Sequence, residues 1–203
     1  MKPFRPLFAI IAGVAAAFIL LAGIMLYKGA TMPRFNPNGW VYVPNVGSSD
    51  ADMFVRAIIA RIGLFANSPD QAVYMQAVED RSIDLLGTLN GRPIRKLHPG
   101  GHYRIVGESD IDAWWWSVTL YNDEEYLFDN PLDRYSYAGF QLEREPDGGF
   151  VIDVAPERPK GATNWLPSPA DRPFVLTLRI YWPNRALLEN PGTYDLPRVV
   201  RMS

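Results

Sequence analysis

Few residue types in this chain can do covalent chemistry, and their spacing narrows the possibilities further. There is no cysteine among the 203 residues. That removes a thiol nucleophile, a Cys-ligated zinc, an iron–sulfur cluster and any disulfide. The two histidines, His98 and His102, bracket Pro99-Gly100-Gly101 in a single loop. The spacing suits the start of a metal site, yet no third ligand falls at a recognisable distance, and a Ser-His-Asp arrangement would have to recruit its base from this one loop. Acidic groups cluster at Glu143 and Glu145 and at Asp123, Glu124 and Glu125. Glycosidases need two carboxylates about 5–10 Å apart, one kept protonated by its surroundings. These acids lie instead in polar, turn-like stretches that suit solvated carboxylates. A Gly-x-Ser-x-Gly elbow, a phosphate-binding glycine loop and a dinucleotide fingerprint are all absent. The sequence assigns no catalytic residue, no metal and no cofactor, and leans away from an enzyme.

Residues suited to binding are easier to find. Trp114-Trp115-Trp116 opens a long strand pattern. Alternation places Trp114, Trp116, Val118 and Leu120 on one face, expected to be buried. Trp115, Ser117, Thr119 and Tyr121 fall on the other, a mixture of rings and hydroxyls that suits sugar stacking or a partner surface as well as packing. Arg179 and Tyr181 end a second apolar strand, and Asn164-Trp165 follows a Pro/Gly/Lys loop. An Arg, a Tyr and an amide can orient a small anionic or polyol ligand, or tie loops to a sheet. The candidate binding residues are Trp115, Thr119, Tyr121, Arg134, Asn164, Trp165, Arg179 and Tyr181. Arg179 is expected to be partly buried and bonded to a carboxylate or to loop carbonyls near 130–134 or 164–167, because an unpaired buried guanidinium is costly.

The elements that must position these residues change character along the chain. Residues 50–66 carry Phe54, Ile58, Ile62 and Phe65 at helical spacing behind Ser49 and Asp50, and Ser68-Pro69-Asp70-Gln71 has the chemistry of a second helix start, running to about Arg81. Beyond Arg81 the period becomes two. Asn90-Gly91, the His98–Gly101 loop, Asn130-Pro131 and Asp147-Gly148-Gly149 separate strands expected at Tyr103–Gly107, Ala113–Tyr121, Arg134–Leu142, Phe150–Val154, Phe174–Trp182 and Arg198–Arg201. Asp110-Ile111-Asp112 is expected to be an exposed connection, and Trp40–Val43 a short edge strand or an aromatic patch near lipid headgroups. The fold class expected is mainly β: an antiparallel sandwich or jelly roll over 82–203, with two short helices on one side over 50–81.

Ahead of this body, Leu7–Tyr27 is 21 residues long without a charge or a proline. At ~1.5 Å per residue it is as long as a bilayer core is thick, and too long for a typical signal peptide's apolar region. The sequence predicts a cytoplasmic N-terminus at 1–6, a transmembrane helix at 7–27, a linker at 28–39 and an extracytoplasmic domain at 40–203. Lys2, Arg5 and the amine favour the N-terminus inside the cytoplasmic membrane. The formal charge of −2 carries no footprint for nucleic acid.

Five motifs occur in order: Trp116–Tyr121, Asn130-Pro131 with Arg134-Tyr135, Asp147-Gly148, Asn164-Trp165-Leu166-Pro167 and Arg179–Pro183. Together, over roughly residues 80–200, they resemble the bacterial family called domain of unknown function 1214. The resemblance implies a jelly-roll-like β-sandwich, often secreted or membrane-anchored, and no reaction. The expected function is a membrane-anchored extracytoplasmic binding or interaction module, free-standing or an accessory subunit of a membrane complex; the alternative is an envelope glycan-acting hydrolase. The partners expected are the membrane through Leu7–Tyr27, other membrane protein subunits and glycan.

Overall fold

The computed structural model describes residues 4–31, 37–41, 72–77, 88–89, 92–93, 97–123, 126–190 and 192–202. Helix α1 runs over Phe4–Thr31 as a single element of 28 residues, so the first residues of the expected linker are helical. Among the described residues no helix is long and apolar enough to cross a membrane. The side chains described on α1 are those of 9–24 and Tyr27, a shorter run than the roughly 20 residues a crossing takes.

The strands are β1 (Trp40–Val41), β2 (Ala72–Ala77), β3 (Thr88–Leu89), β4 (Arg92–Pro93), β5 (Tyr103–Gly107), β6 (Ala113–Asn122), β7 (Ser136–Ala138), β8 (Phe150–Ala155), β9 (Asn164–Pro167), β10 (Phe174–Pro183) and β11 (Arg198–Arg201), with a short helix α2 at Arg185–Glu189. They form a five-stranded sheet ordered β1-β2-β10-β6-β7, a four-stranded sheet ordered β11-β5-β8-β9, and the β3-β4 pair across residues 90–91. The chain is mainly β, and neither described sheet closes into a barrel.

One core joins the two larger sheets. On β10, Phe174, Leu176, Leu178 and Ile180 all face inward, and the register pairs the last three with Leu120, Val118 and Trp116 of β6. Tyr103 and Ile105 of β5, Ile152 and Val154 of β8 and Leu166 of β9 supply the facing side. Rings from the two sheets meet directly: Trp116 lies 5.3 Å from Phe150, and Tyr103 lies 5.8 Å edge-on to Phe174. Each such side chain withdrawn from water contributes about 1.5–3 kcal/mol.

Several expectations are corrected. Residues 72–77, expected within a second helix, form β2, hydrogen-bonded to β10 on one side and β1 on the other. Met75 and Ala77 are both buried, a period of two, and pairing with the long β10 overrides the helix-start chemistry of Ser68–Gln71. The other expected helix, 50–66, lies outside the described residues. The Arg134–Leu142 strand shrinks to Ser136–Ala138, followed by a 3₁₀ turn at Gly139–Gln141. Asn164–Pro167, expected as loop, is a strand parallel to β8; it sits at the sheet edge, where Pro167 is tolerated. Ile111 is buried between two exposed aspartates, and Trp114 is exposed rather than buried. Trp40 of β1 is fully buried, which supports the edge-strand reading of that segment. In the Asp147-Gly148 turn, Gly148 takes φ +90 and Asp147 Oδ1 accepts from Gly149 N at 3.0 Å, as the turn chemistry predicts.

Candidate binding site

The eight candidate residues divide into two groups. Trp115, Thr119 and Tyr121 on β6 and Arg179 and Tyr181 on β10 share the outer face of the five-stranded sheet. Trp115 and Tyr181 are register partners, and their rings meet at 5.4 Å. Thr119 opposes Thr177, and both are buried. Arg179 donates to the Tyr121 hydroxyl, with its guanidinium 5.2 Å from the ring centroid. The expected carboxylate or loop-carbonyl partner of Arg179 is therefore replaced by a phenol on the neighbouring strand.

Arg134, Asn164 and Trp165 form the second group, and their polar atoms are spent on the fold. Arg134 Nη1 donates to the Tyr137 hydroxyl at 2.9 Å and to the Trp165 carbonyl at 3.1 Å. The buried Asn164 amide accepts from Glu143 N and donates to the carbonyls of Glu143 and Val151, each at 2.9 Å. Trp165 Nε1 donates to Ala155 O at 2.8 Å. These bonds tie β9 to the segment after β7.

A groove of about 220 Å³ opens at the start of β6, lined by Asp110, Trp114, Trp115, Trp116, Phe140 and Arg144 among others. Its lining includes an ion pair, with the Asp110 side chain 60% exposed and that of Arg144 26%. Asp110 Oδ1 accepts from Ile111 N at 3.0 Å, from Trp116 Nε1 at 2.7 Å and from Arg144 Nη2 at 2.9 Å. Asp110 Oδ2 accepts from none of the described groups. Arg144 also donates to the carbonyls of Gly139 and Gly148, both at 3.2 Å, and lies 5.4 Å from the centroid of Phe150. The rim is aromatic and wet: Trp114 is 77% exposed and Phe140 79%. Trp182, 57% exposed, extends that surface by meeting Trp114 edge-on at 5.5 Å. Trp182 has φ +46, a conformation that bulky L-residues avoid and that persists where the surroundings enforce it. Of the eight candidates only Trp115 reaches this groove. Asp110, Trp114, Phe140, Arg144 and Trp182 were missed; the signal for Trp114 and Trp182 is their position at adjacent strand ends, where alternation no longer guarantees burial.

A larger cleft, about 510 Å³, lies elsewhere and includes Asn122, Asn130, Pro131, Pro167, Ser168 and Arg172 in its lining. The Asn130 side chain there is consumed by the local turn, accepting from Leu132 N and Arg134 N and donating to Arg134 O. Ser168 Oγ is buried without a hydrogen-bond partner. His102 Nε2 is 2.7 Å from Asp153 Oδ1, which also accepts from Arg104 Nε at 2.8 Å. Among the described residues no three potential ligands converge on a metal position.

The family model described as "Protein of unknown function (DUF1214)" matches residues 88–185. The match agrees with the family that the five motifs resemble. All five motifs fall inside the matched stretch. No curated protein matches the chain. Among solved structures, the VPA0106 protein from Vibrio parahaemolyticus is similar at 24% identity with a TM-score of 0.54, over 76% of this chain and 36% of that one. An uncharacterised protein from Burkholderia cenocepacia is similar at 19% identity with a TM-score of 0.46, over 70% and 33%. The chain thus spans about a third of the length of the structures it matches. The likeness to the Vibrio protein is one of fold. Asp110, Trp116 and Arg144 of the groove all lie within the matched stretch.

Proposed function

We propose that this chain is a membrane-tethered binding module with no reaction of its own, its body a β-sandwich presented outside the cytoplasmic membrane. The observation that carries the binding role is the groove at the start of β6. Large rings left in water beside a hydrogen-bonded ion pair are what recognition surfaces present, because burying them on association is favourable and the fixed polar pair supplies orientation. The tether rests on α1. The helix is 28 residues long, roughly 42 Å at the α-helical rise, and contains the uncharged Leu7–Tyr27 run. The N-terminus then lies in the cytoplasm, and the body acts alone or as an accessory subunit beside other membrane proteins.

Hydrolysis of glycan is not favoured by the geometry. Among the described residues only one carboxylate, Asp110, lines the groove, and Arg144 and Trp116 already hold it. Asp129 and Asp171 share the larger cleft, both open to solvent.

The tether is tested by fractionation with an alkaline carbonate wash, followed by protease treatment of intact spheroplasts. Retention in the washed membrane and digestion of the body from outside are expected. Release by carbonate rejects the tether. Mild-detergent purification with mass spectrometry tests the subunit version, which fails if the chain is recovered only as a lone monomer.

A further inference from the structure

Resting on the reading of the Trp114 groove as the binding site, we infer that its ligand is a neutral saccharide. The electrostatics come first. Asp110 alone would repel an anion and attract a cation, but Arg144 sits 2.9 Å from its Oδ1. The charged lining is therefore one carboxylate and one guanidinium, and no net charge selects an ionic ligand. The polar chemistry comes next. Oδ1 is fully engaged while Oδ2 accepts from none of the described groups, so the exposed Asp110 offers the groove one fixed, charged acceptor. A hydroxyl is such a donor, and a hydrogen bond to an ionised acceptor is stronger than one between neutral groups.

The rim supplies the other half. A pyranose ring has an apolar C–H face and an edge of hydroxyls, an amphipathic division that matches exposed rings beside an exposed polar pair. Trp114 and Phe140 are the exposed rings on the groove, and Trp182 braces Trp114 edge-on. Because Asp110 is held by three donors and Arg144 by three acceptors, little side-chain freedom is lost when a ligand binds, which favours affinity. The groove volume suits one sugar unit of a chain that continues past Trp114 towards Trp182.

The test uses the full chain in a detergent without a sugar headgroup. Cellotetraose, chitotetraose and maltotetraose are titrated by calorimetry, with acrylamide quenching of tryptophan fluorescence alongside. At least one is expected to bind with a Kd on the order of micromolar to millimolar and to protect tryptophan from the quencher. Trp114→Ala and Phe140→Ala should each weaken it about tenfold or more with the thermal midpoint unchanged, since both side chains are exposed. Asp110→Asn should also weaken binding. Absence of binding by all three sugars at about 10 mM, millimolar being the weak end of the scale, overturns the saccharide assignment, as does binding that Trp114→Ala leaves intact. If sugars fail but Trp114→Ala abolishes recovery of a co-purifying membrane protein, the saccharide is wrong and the binding-module reading stands. If Trp114→Ala alters neither, both are wrong.

Discussion

The guanidinium of Arg179 lies 5.2 Å from the ring centroid of Tyr121 and donates to its hydroxyl. The two residues are not register partners: Arg179 opposes Ser117, and Tyr121 opposes Val175. They meet across the intervening Thr119–Thr177 pair, both members of which are buried. Arg179→Ala should therefore lose a half-buried cation–π contact and a charge-assisted hydrogen bond together, about 1–3 kcal/mol of stability. Denaturant unfolding of Arg179→Ala, Tyr121→Phe and the double variant measures this. Simple additivity of the two single effects would refute the coupling.

Asn164 makes three bonds from a buried amide, accepting from Glu143 N and donating to Glu143 O and Val151 O. Asn164→Ala strands these backbone groups, and a buried group left unpaired costs about 1–3 kcal/mol. Asn164→Asp should be worse at neutral pH, because a carboxylate oxygen would face two carbonyls. Acidifying should recover part of the loss for Asp and none for Ala. Thermal unfolding at two pH values distinguishes them, and equal behaviour would show that the amide donors do not matter.

Gly139 closes the groove from behind. A Cβ there would stand 2.4 Å from Trp116 Nε1 and 2.6 Å from Cε2, an approach that neither the core-packed indole nor the turn can relieve cheaply. Gly139→Ala should destabilise by about 1–3 kcal/mol and break the Trp116–Asp110 bond, releasing the clamped carboxylate. Near-ultraviolet circular dichroism, which reports the tryptophan environment, should change along with the unfolding midpoint. A stable variant with an unchanged spectrum would mean that the turn shifts freely.

Alkaline pH should weaken the fold through Tyr194. Its phenol is pushed above the ordinary value of 10.0, first by burial and then by the Asp112 and Asp195 carboxylates, against an opposing backbone bond at Asp112. The folded chain therefore holds that proton more tightly than the unfolded chain. The stabilisation is complete below pH 10 and is lost as pH rises through the folded-state value. Tyr135 is shifted in the same direction, by desolvation and then by Asp133. Urea unfolding between pH 9 and 11 should show a decline that Tyr194→Phe flattens. A decline as steep in the variant would assign the effect elsewhere.

Strand positions after residue 100 were legible because the apolar alternation is strict where both sheets face the core. Tyr103–Gly107 and Arg198–Arg201 match their observed limits, and Ala113 and Phe174 begin their strands where expected. The residues around Ser68 misled because local capping chemistry was weighed without the partner strand, and no local signal reveals that β10 lies alongside 72–77. The site was legible only in part for a related reason. Alternation grouped Trp115, Thr119 and Tyr121 on one strand face and Arg179 and Tyr181 on another, and only the β6–β10 register joins them. Arg134 and Asn164 were read as ligand-facing from their side-chain chemistry, but their partners, Tyr137, Trp165 and Glu143, are fixed only by tertiary contact. Asp110 comes from the β5–β6 connection and Phe140 and Arg144 from the β7–β8 connection, so no spacing in the sequence announces that they share a groove.

The segment that follows α1 is stitched to both sheets at once. Trp40 pairs with Ala77 at the edge of the five-stranded sheet, while its indole donates at 2.7 Å to the carbonyl of Pro197, one residue before β11 of the other sheet; Asn38 donates to Leu196 O beside it. Tension arriving through residue 37 therefore loads two sheets in parallel, and neither can be peeled open strand by strand from that end. Pulled from residue 37, the body should behave as a brittle mechanical unit, holding until the Trp40 contacts rupture and then failing in one step, whereas Trp40→Phe, which keeps a ring but loses the indole donor, should yield at lower force.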